Sequence, residues 1–143
     1  MNVDALVYSS TDEPPDAGVL AVDKGLDQYN LAAAPLSEVR RLASFATDPS
    51  GRVVGGAVGR TWGKCCELLQ LWVDPALRSS GVGSRVLQTF EGHASRRGCT
   101  VFYLTTLSFQ APDFYRKHDY ASLAEISGFP DGITKYLMQK VMA

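Results

Sequence analysis

The stretch from Val73 to Ser84 constrains what this chain can fold into more than any other, because it joins an apolar run to an amphipathic helix. The apolar run ends at Asp74-Pro75, where proline lacks an N–H group and biases the residue before it away from helix. The residues Arg78-Ser-Ser-Gly-Val-Gly-Ser follow, and their glycines let a ligand approach the backbone closely. Their N–H groups open a helix, whose N-terminus attracts anions. The pattern therefore predicts a strand, a phosphate-binding turn and a helix, in that order.

Composition limits the classes of protein to which this sequence can belong. The chain has 143 residues, of which 45% are apolar and 20% are charged, and its formal net charge at pH 7 is −1. This size and composition predict one globular domain over residues 1–143, and the small net charge argues against nucleic acid or an anionic membrane as a partner. No apolar run is long enough to span a bilayer, and the first residues, Met-Asn-Val-Asp, lack the features of a signal peptide. We therefore expect a soluble cytoplasmic protein.

The three cysteines predict neither a metal site nor a disulfide framework. Cys65 and Cys66 are adjacent, Cys99 is distant, and no histidine flanks them at the spacing of zinc ligands. We expect all three to be small apolar side chains in strands. No metal is therefore expected in this protein.

Apolar periodicity divides the chain into strands and helices. It predicts one broken helix or two over residues 16–34, where Gly25 interrupts the pattern, and an amphipathic helix after residue 82. The second helix should end at Arg96-Arg97-Gly98, because cations and glycine favour a helix C-terminus. A short third helix is expected over residues 111–118. The predicted strands cover residues 3–8, 36–47, 52–62, 65–73, 100–107, 120–126 and 133–141.

The order of these elements indicates a mixed sheet. Strands 52–62 and 65–73 are close enough in sequence to form a hairpin, and the strand after the amphipathic helix is most easily parallel to the strand before it. We therefore expect an α+β (mixed α/β) fold, with a central, mostly antiparallel sheet of about six to seven strands and helices on both faces.

Two motifs resemble those of the GCN5-related N-acetyltransferase (GNAT) superfamily. The first is Arg78-x-x-Gly81-x-Gly83, preceded by Leu-Trp-Val-Asp-Pro, which is similar to the superfamily's pyrophosphate-binding signature. The second is Ser108-Phe-Gln-Ala-Pro-Asp-Phe-Tyr-Arg-Lys-His-Asp-Tyr, which is similar to a later motif whose helix carries a tyrosine, here Tyr115. The order of elements fits along essentially the whole chain, and residues 129–140 resemble the ending of a bacterial subgroup of small GNAT proteins.

The resemblance implies a GNAT fold and an acetyl-CoA-dependent N-acetyltransferase, which transfers an acetyl group directly to a primary amine of a small molecule or a protein. It implies that N–H groups of the turn hold the coenzyme A pyrophosphate and that Arg78 adds a charged hydrogen bond. The pantetheine arm is expected along the backbone at residues 71–73, where the strand separates from its parallel neighbour. The implied coenzyme-binding residues are Leu71, Trp72, Val73, Arg78, Ser79, Ser80, Gly81, Val82, Gly83, Ser84 and Phe114.

The same resemblance implies two catalytic residues. Tyr115 is the expected acid, which protonates the coenzyme A thiolate as it leaves. Glu67 is the expected base, direct or through water, because an alkylamine with a pKa of about 10 is almost wholly protonated at pH 7. A simpler role stays open for each residue. Tyr115 could be an aromatic side chain that merely packs beside Phe114, and Glu67 could be a solvent-facing residue or an ion-pair partner.

Two positions depart from the family pattern. Asp119 stands where family members commonly have glycine before an aromatic residue, so a left-handed turn there is less assured, although aspartate tolerates it. Thr105 or Thr106 stands where the bacterial subgroup has an acidic residue, so an acceptor-side carboxylate is expected to be missing.

Acceptor binding is expected to involve the helical region 16–35 and the final hairpin at residues 128–136. Polarity and position there suggest Asp23, Asp27, Tyr29 and Tyr136 as contacts to a cationic acceptor. The two histidines, His93 and His118, are expected to be surface or capping residues.

Other functional interpretations of the turn are weaker. A Rossmann fingerprint fails because no third glycine follows at the required position, and a Walker motif fails because Gly-Lys-Ser/Thr is absent. A catalytically silent acyl-CoA-binding sensor would use the same turn without transfer and stays open as the alternative. A flavodoxin-like nucleotide-binding module fits poorly because antiparallel strands are expected before the turn. An exposed sheet edge would permit a homodimer.

Overall fold

The computed structural model describes residues 1–142, which belong to two compact units. The first unit, Met1–Ser37, contains a 3-10 turn at Val3–Ala5 and helix α1, Asp16–Ala33. No residue of α1 is buried. The helix runs without interruption through Gly25, although the sequence predicts a broken helix or two. A glycine inside a helix costs only about 1 kcal/mol, which the helix-forming residues on either side outweigh.

The predicted first strand over residues 3–8 is wrong. The N–H of Ala5 donates to the Asn2 carbonyl at 3.2 Å, and the N–H of Leu6 donates to the Val3 carbonyl at 3.2 Å. The Asn2 side chain also accepts a hydrogen bond from the N–H of Asp4 at 3.0 Å. These local hydrogen bonds occupy backbone groups that a strand would present to a neighbour, because asparagine competes well for the backbone.

The second unit begins at Glu38 and is built on a six-stranded sheet of order β1-β2-β3-β4-β6-β5. Its strands and helices are β1 Arg40–Thr47, β2 Val53–Trp62, β3 Cys65–Val73, α2 Val82–Arg96, β4 Val101–Leu107, α3 Pro112–Lys117, β5 Ala121–Ile126 and β6 Lys135–Val141. Every neighbouring pair is antiparallel except β3 and β4, which are joined through α2. The predicted mixed, mostly antiparallel sheet and its βαβ unit are confirmed.

Helix α2 covers strands β1, β2 and β3 and supplies much of the core of this unit. Its buried residues recur at helical spacing and are Val86, Leu87, Phe90, Glu91 and Ala94. Just beyond the helix, the guanidinium of Arg97 donates to the Thr61 hydroxyl at 3.1 Å and to the Arg41 carbonyl at 3.0 Å. These bonds tie the C-terminal end of α2 to β1 and β2, so the N-terminal end is held at a defined place above β3.

Candidate active site

A cleft opens where the parallel strands β3 and β4 separate. The two strands are paired only over residues Cys65–Glu67 of β3. Beyond that point β3 continues beside β2 through a bulge at Leu69, whereas β4 continues beside β6. The cleft has a volume of about 1050 Å³. Its lining residues are Leu68, Leu69, Gln70, Leu71, Trp72, Val73, Leu77, Arg78, Ser79, Gly81, Gly83, Ser84, Leu104, Thr105, Thr106, Phe109, Gln110, Ala111, Phe114 and Tyr115.

The turn between β3 and α2 forms one wall of this cleft. Ser79 and Gly81 both have a positive φ, 65° and 86°, and Gly81 is the N-cap of α2. Such left-handed residues let successive N–H groups point to one side, which is the arrangement that binds anions. The Arg78 side chain folds back, and its Nε donates to the Val73 carbonyl at 3.1 Å. Ser80, whose hydroxyl bonds to the Leu77 carbonyl, does not line the cleft, and neither does Val82.

Tyr115, on α3, also lines the cleft and is only 8% exposed. Its ring makes edge-to-face contacts with Phe114, at a centroid distance of 5.2 Å, and with Tyr120, at 5.8 Å. Burial raises the pKa of the Tyr115 hydroxyl to about 12, because the phenolate would lose its hydration. Tyr115 therefore stays a neutral proton donor over the whole physiological pH range.

A buried polar network behind Tyr115 was not expected from the sequence. The Tyr120 hydroxyl donates to Glu91 Oε2 at 2.7 Å, and Lys140 Nζ donates to both oxygens of Glu91 at 3.0 Å. The pKa of the Tyr120 hydroxyl is raised, first by burial and then by the adjacent Glu91 charge. One sequence signal could have revealed this network. Glu91 interrupts the apolar face of α2, and a buried carboxylate needs a partner.

Glu67 does not line the cleft. It sits opposite Tyr103, at the last paired position before β3 and β4 separate. Its Oε1 accepts hydrogen bonds from Arg60 Nε at 2.9 Å and from Arg60 Nη2 at 2.8 Å. The pKa of the neighbouring Tyr103 hydroxyl is raised, mainly by burial and then by the Glu67 charge. The structure thus places Glu67 at the closed end of the strand separation, in an ion pair.

The β4–α3 loop is held by side chains from the second sequence motif. The Gln110 side-chain oxygen accepts from the N–H of Leu107 at 2.7 Å, and the Ser108 hydroxyl accepts from the N–H of Thr134 at 3.0 Å. At the far end of α3, Asp119 has a φ of 71° and so adopts the left-handed turn that the family pattern requires. The sequence could not predict the Ser108 contact, because Thr134 is distant in the chain.

The residues suggested for acceptor binding lie in different places. Asp23, Asp27 and Tyr29 are exposed on α1 of the first unit. Tyr136 is on β6 of the second unit, and the guanidinium of Arg116 lies 5.4 Å from its ring centroid. The cleft contains no carboxylate among its lining residues within the described part of the chain, and Thr105 and Thr106 both line it.

The cysteines and the possible metal ligands of the described residues form no further site. Cys66 and Cys99 are buried thiols, and burial raises the pKa of Cys66 to about 12. Within residues 1–142, no three or more histidine, cysteine or acidic side chains group together as metal ligands would. None of the helices described over the same residues is both long and apolar enough to cross a membrane.

The known proteins to which this chain is similar are acetyltransferases. Residues 11–120 match the family model described as "Acetyltransferase (GNAT) family". Blasticidin-S acetyltransferase of Streptomyces morookaense is 36% identical over 114 residues, which cover 77% of this chain and 84% of that relative. The crystal structure of an acetyltransferase from Bacillus cereus ATCC 14579 is 26% identical and superposes with a TM-score of 0.80 over 94% of this chain and 98% of the other.

A more distant structure contains the coenzyme. It is a Bacillus anthracis protein assigned as a streptothricin acetyltransferase, solved in complex with acetyl coenzyme A. It is 16% identical, has a TM-score of 0.63 and is matched over 71% of this chain and 62% of its own. At that identity the likeness shows a shared fold.

Proposed function

The chain belongs to the acetyltransferase (GNAT) family, and from this premise we propose that its cleft is the acetyl-CoA site. The protein is an N-acetyltransferase, and the cleft is the place in the second unit where a strand separation, an anion-binding turn and a buried tyrosine meet. In this proposal the pyrophosphate binds to backbone N–H groups of residues 79–84, which a helix N-terminus makes electropositive. Arg78 and the Ser84 hydroxyl add polar contacts at the cleft wall, while Ser80 and Val82 contribute backbone only.

The pantetheine arm is proposed to lie along β3 at Leu71, Trp72 and Val73. Support comes from the backbone of these residues, which pairs with β2 on one side and, past Glu67, no longer pairs with β4 on the other. An amide-containing chain can hydrogen-bond to such an open strand edge as an added strand would. Phe114 also lines the cleft and offers an apolar surface to the same arm.

Tyr115 is proposed as the general acid. The neutral acceptor nitrogen attacks the thioester carbonyl, and the C–N bond forms as the C–S bond breaks. The departing thiolate takes the Tyr115 proton, and the proton that the nitrogen loses on becoming an amide passes to solvent. The leaving thiolate is the conjugate base of a thiol with a pKa of about 8.5. It is therefore basic enough to gain modestly from a positioned proton donor. The tyrosinate recovers a proton from solvent before the next turnover.

Glu67 is proposed as the base, acting through water. The support is its position at the point where β3 and β4 separate and the lack of any carboxylate in the cleft lining described above. Its ion pair with Arg60 would hold the carboxylate in one orientation, from which a bridging water could receive the ammonium proton.

The acceptor is proposed to be a small amine-bearing molecule rather than a protein. The support is the relative named blasticidin-S acetyltransferase, which is matched over most of both chains. The cleft lining includes Gln70, Thr105, Thr106 and Gln110, whose neutral hydrogen-bonding groups suit a polar acceptor.

Three broader features are also proposed. Residues 1–143 act as one catalytic domain, and the protein is cytoplasmic. Strand β5 is an edge strand with no buried residue, which offers an edge for pairing in a homodimer.

A thiol-release assay tests the function. Purified protein and acetyl-CoA are incubated with blasticidin S, polyamines, aminoglycosides, amino acids and a lysine peptide, and free coenzyme A is measured. We expect release with at least one small amine and little with the peptide. Binding of acetyl-CoA without release on any amine would instead indicate the non-catalytic sensor.

A further inference from the structure

His118 contacts two residues that line the cleft, one on α2 and one on α3. It is the C-cap of α3, directly after the helix that carries Tyr115. Its Nε2 lies 2.9 Å from the Ser84 hydroxyl, and its ring lies 4.8 Å from the ring of Phe114, tilted by 50°. Ser84 and Phe114 both line the cleft, whereas His118 does not. A residue expected to be a surface or capping histidine therefore contacts two residues that line the cleft.

Ser84 is placed where the direction of its hydroxyl matters. It is the third residue of α2, in the first turn, where the backbone N–H groups have no partner within the helix. A serine hydroxyl has a single hydrogen, and it can accept one hydrogen bond while donating another. Either group can donate in this hydrogen bond, depending on the imidazole tautomer. When Nε2–H of His118 donates to Ser84 Oγ, the hydroxyl hydrogen is directed away from the imidazole and is free to bind a ligand.

We propose that His118 is a positioning residue for the coenzyme: it orients the Ser84 hydroxyl as a donor to the pyrophosphate and holds Phe114 beside the pantetheine arm. This inference rests on the proposed acetyl-CoA site. It adds a residue outside the cleft lining that acts through two residues inside it. The Phe114 ring is itself close to the turn, because a Cβ placed on Gly83 would lie 3.5 Å from it. His118, Phe114 and the start of α2 are therefore neighbours.

Two acyl donors separate a role in coenzyme binding from a role in folding. S-acetylpantetheine carries the reacting thioester and the arm but lacks the pyrophosphate. His118→Phe keeps a ring against Phe114 and removes the nitrogen donor, so we expect the KM for acetyl-CoA to rise about tenfold, the usual effect of losing a hydrogen bond to a charged group. With S-acetylpantetheine, kcat/KM should change less than twofold. His118→Gln restores an N–H donor at the same reach and should recover most of the affinity.

Ser84→Ala completes the test. If His118 acts through Ser84, the double variant Ser84→Ala/His118→Phe should have the same KM for acetyl-CoA as Ser84→Ala alone. Equal losses with both donors, additive effects in the double variant, or an unchanged KM in His118→Phe would each overturn the inference. Calorimetric binding of coenzyme A to the wild-type protein separates the two levels: no binding refutes the proposed site itself, whereas equal binding by wild type and His118→Phe refutes only the role of His118.

Discussion

At Tyr115, burial alone determines how tightly the proton is held. The hydroxyl pKa is raised to about 12 with desolvation as the cause. The neutral form is the acid, so a raised pKa extends its range: Tyr115 stays protonated up to about pH 12 instead of losing its proton near 10, the ordinary value. We therefore expect kcat at saturating substrates to show no alkaline decrease between pH 7 and 10.5, measured by thiol release.

The same side chain gives a substitution test. Tyr115→Phe keeps both edge-to-face contacts and removes only the hydroxyl, so the fold and the affinity for acetyl-CoA should be nearly unchanged. We expect kcat to fall roughly 10- to 1000-fold, on the order of what loss of a general acid costs. Wild-type turnover in this variant would leave Tyr115 as a packing residue.

Glu67 and Arg60 allow a paired comparison on neighbouring strands. Glu67→Gln removes the proposed proton acceptor, and we expect kcat/KM to fall about 100-fold at pH 7. The loss should shrink at pH 9.5, where more of an amine with a pKa of about 10 is already deprotonated. Arg60→Met is the matched control, because it breaks the same exposed ion pair and keeps the carboxylate, and we expect less than a tenfold effect. A loss in Glu67→Gln that does not depend on pH would contradict the base.

Single residues differ in how far the sequence predicts their surroundings. Arg78, Gly81 and Gly83 belong to one continuous turn, so their joint position followed from local chemistry. Glu67 pairs with Arg60 in the register of the β2–β3 hairpin, and it is the last residue of β3 that still pairs with β4. The point where β3 leaves β4 is set by packing, and no residue pattern in β3 announces it.

At the level of elements, the close approach of α2 to the sheet depends on Gly59. A Cβ at this position would lie 2.1 Å from the Glu67 carbonyl oxygen and 2.6 Å from Phe90 Cζ. The first contact is with backbone, which cannot move without disturbing the β2–β3 pairing. We expect Gly59→Ala to lower the free energy of unfolding by about 3 kcal/mol, the upper range of overpacking effects, in urea denaturation followed by circular dichroism.

Gly92 in α2 provides the control for that prediction. A Cβ there would make only an ordinary contact, 3.6 Å from Arg96 Nη1. Gly92→Ala should raise the free energy of unfolding by about 0.5–1 kcal/mol, because alanine loses less backbone entropy in a helix. Similar changes in both variants would show that the steric contact at Gly59 is relieved without cost.

The elements themselves were predicted unevenly, for a physical reason. Helix α2 and strand β3 follow from strong periodicity and from glycine, proline and cationic signals at their ends. The strand expected over residues 3–8 does not form because this apolar run pairs with no strand of the sheet. Its backbone makes local hydrogen bonds to Asn2 instead. The polar network of Glu91, Tyr120 and Lys140 joins α2, the residue before β5 and β6, and it could be found only from the packing.

Over the whole molecule, burial is distributed unequally, and this predicts where the chain opens first. Helix α1 has no buried residue, whereas α2 has five, including Leu87 and Phe90. Tertiary packing supplies most helical stability in proteins, so a helix with no buried residue is only weakly stabilised. We expect amides of α1 to exchange with deuterium at least 100-fold faster than those of α2 at pH 7, as measured by mass spectrometry of peptic peptides.

The same experiment can reveal what the apolar side chains of α1 do in solution. Val19, Leu20, Val22, Leu26 and Leu31 are all exposed on this helix. If α1 is instead as protected as α2, something must cover them, since a solvated helix could not hold its amides so long. Repeating the measurement over a 50-fold range of protein concentration identifies the cover: protection that grows with concentration points to a second copy of the chain, and protection independent of concentration points to the chain itself.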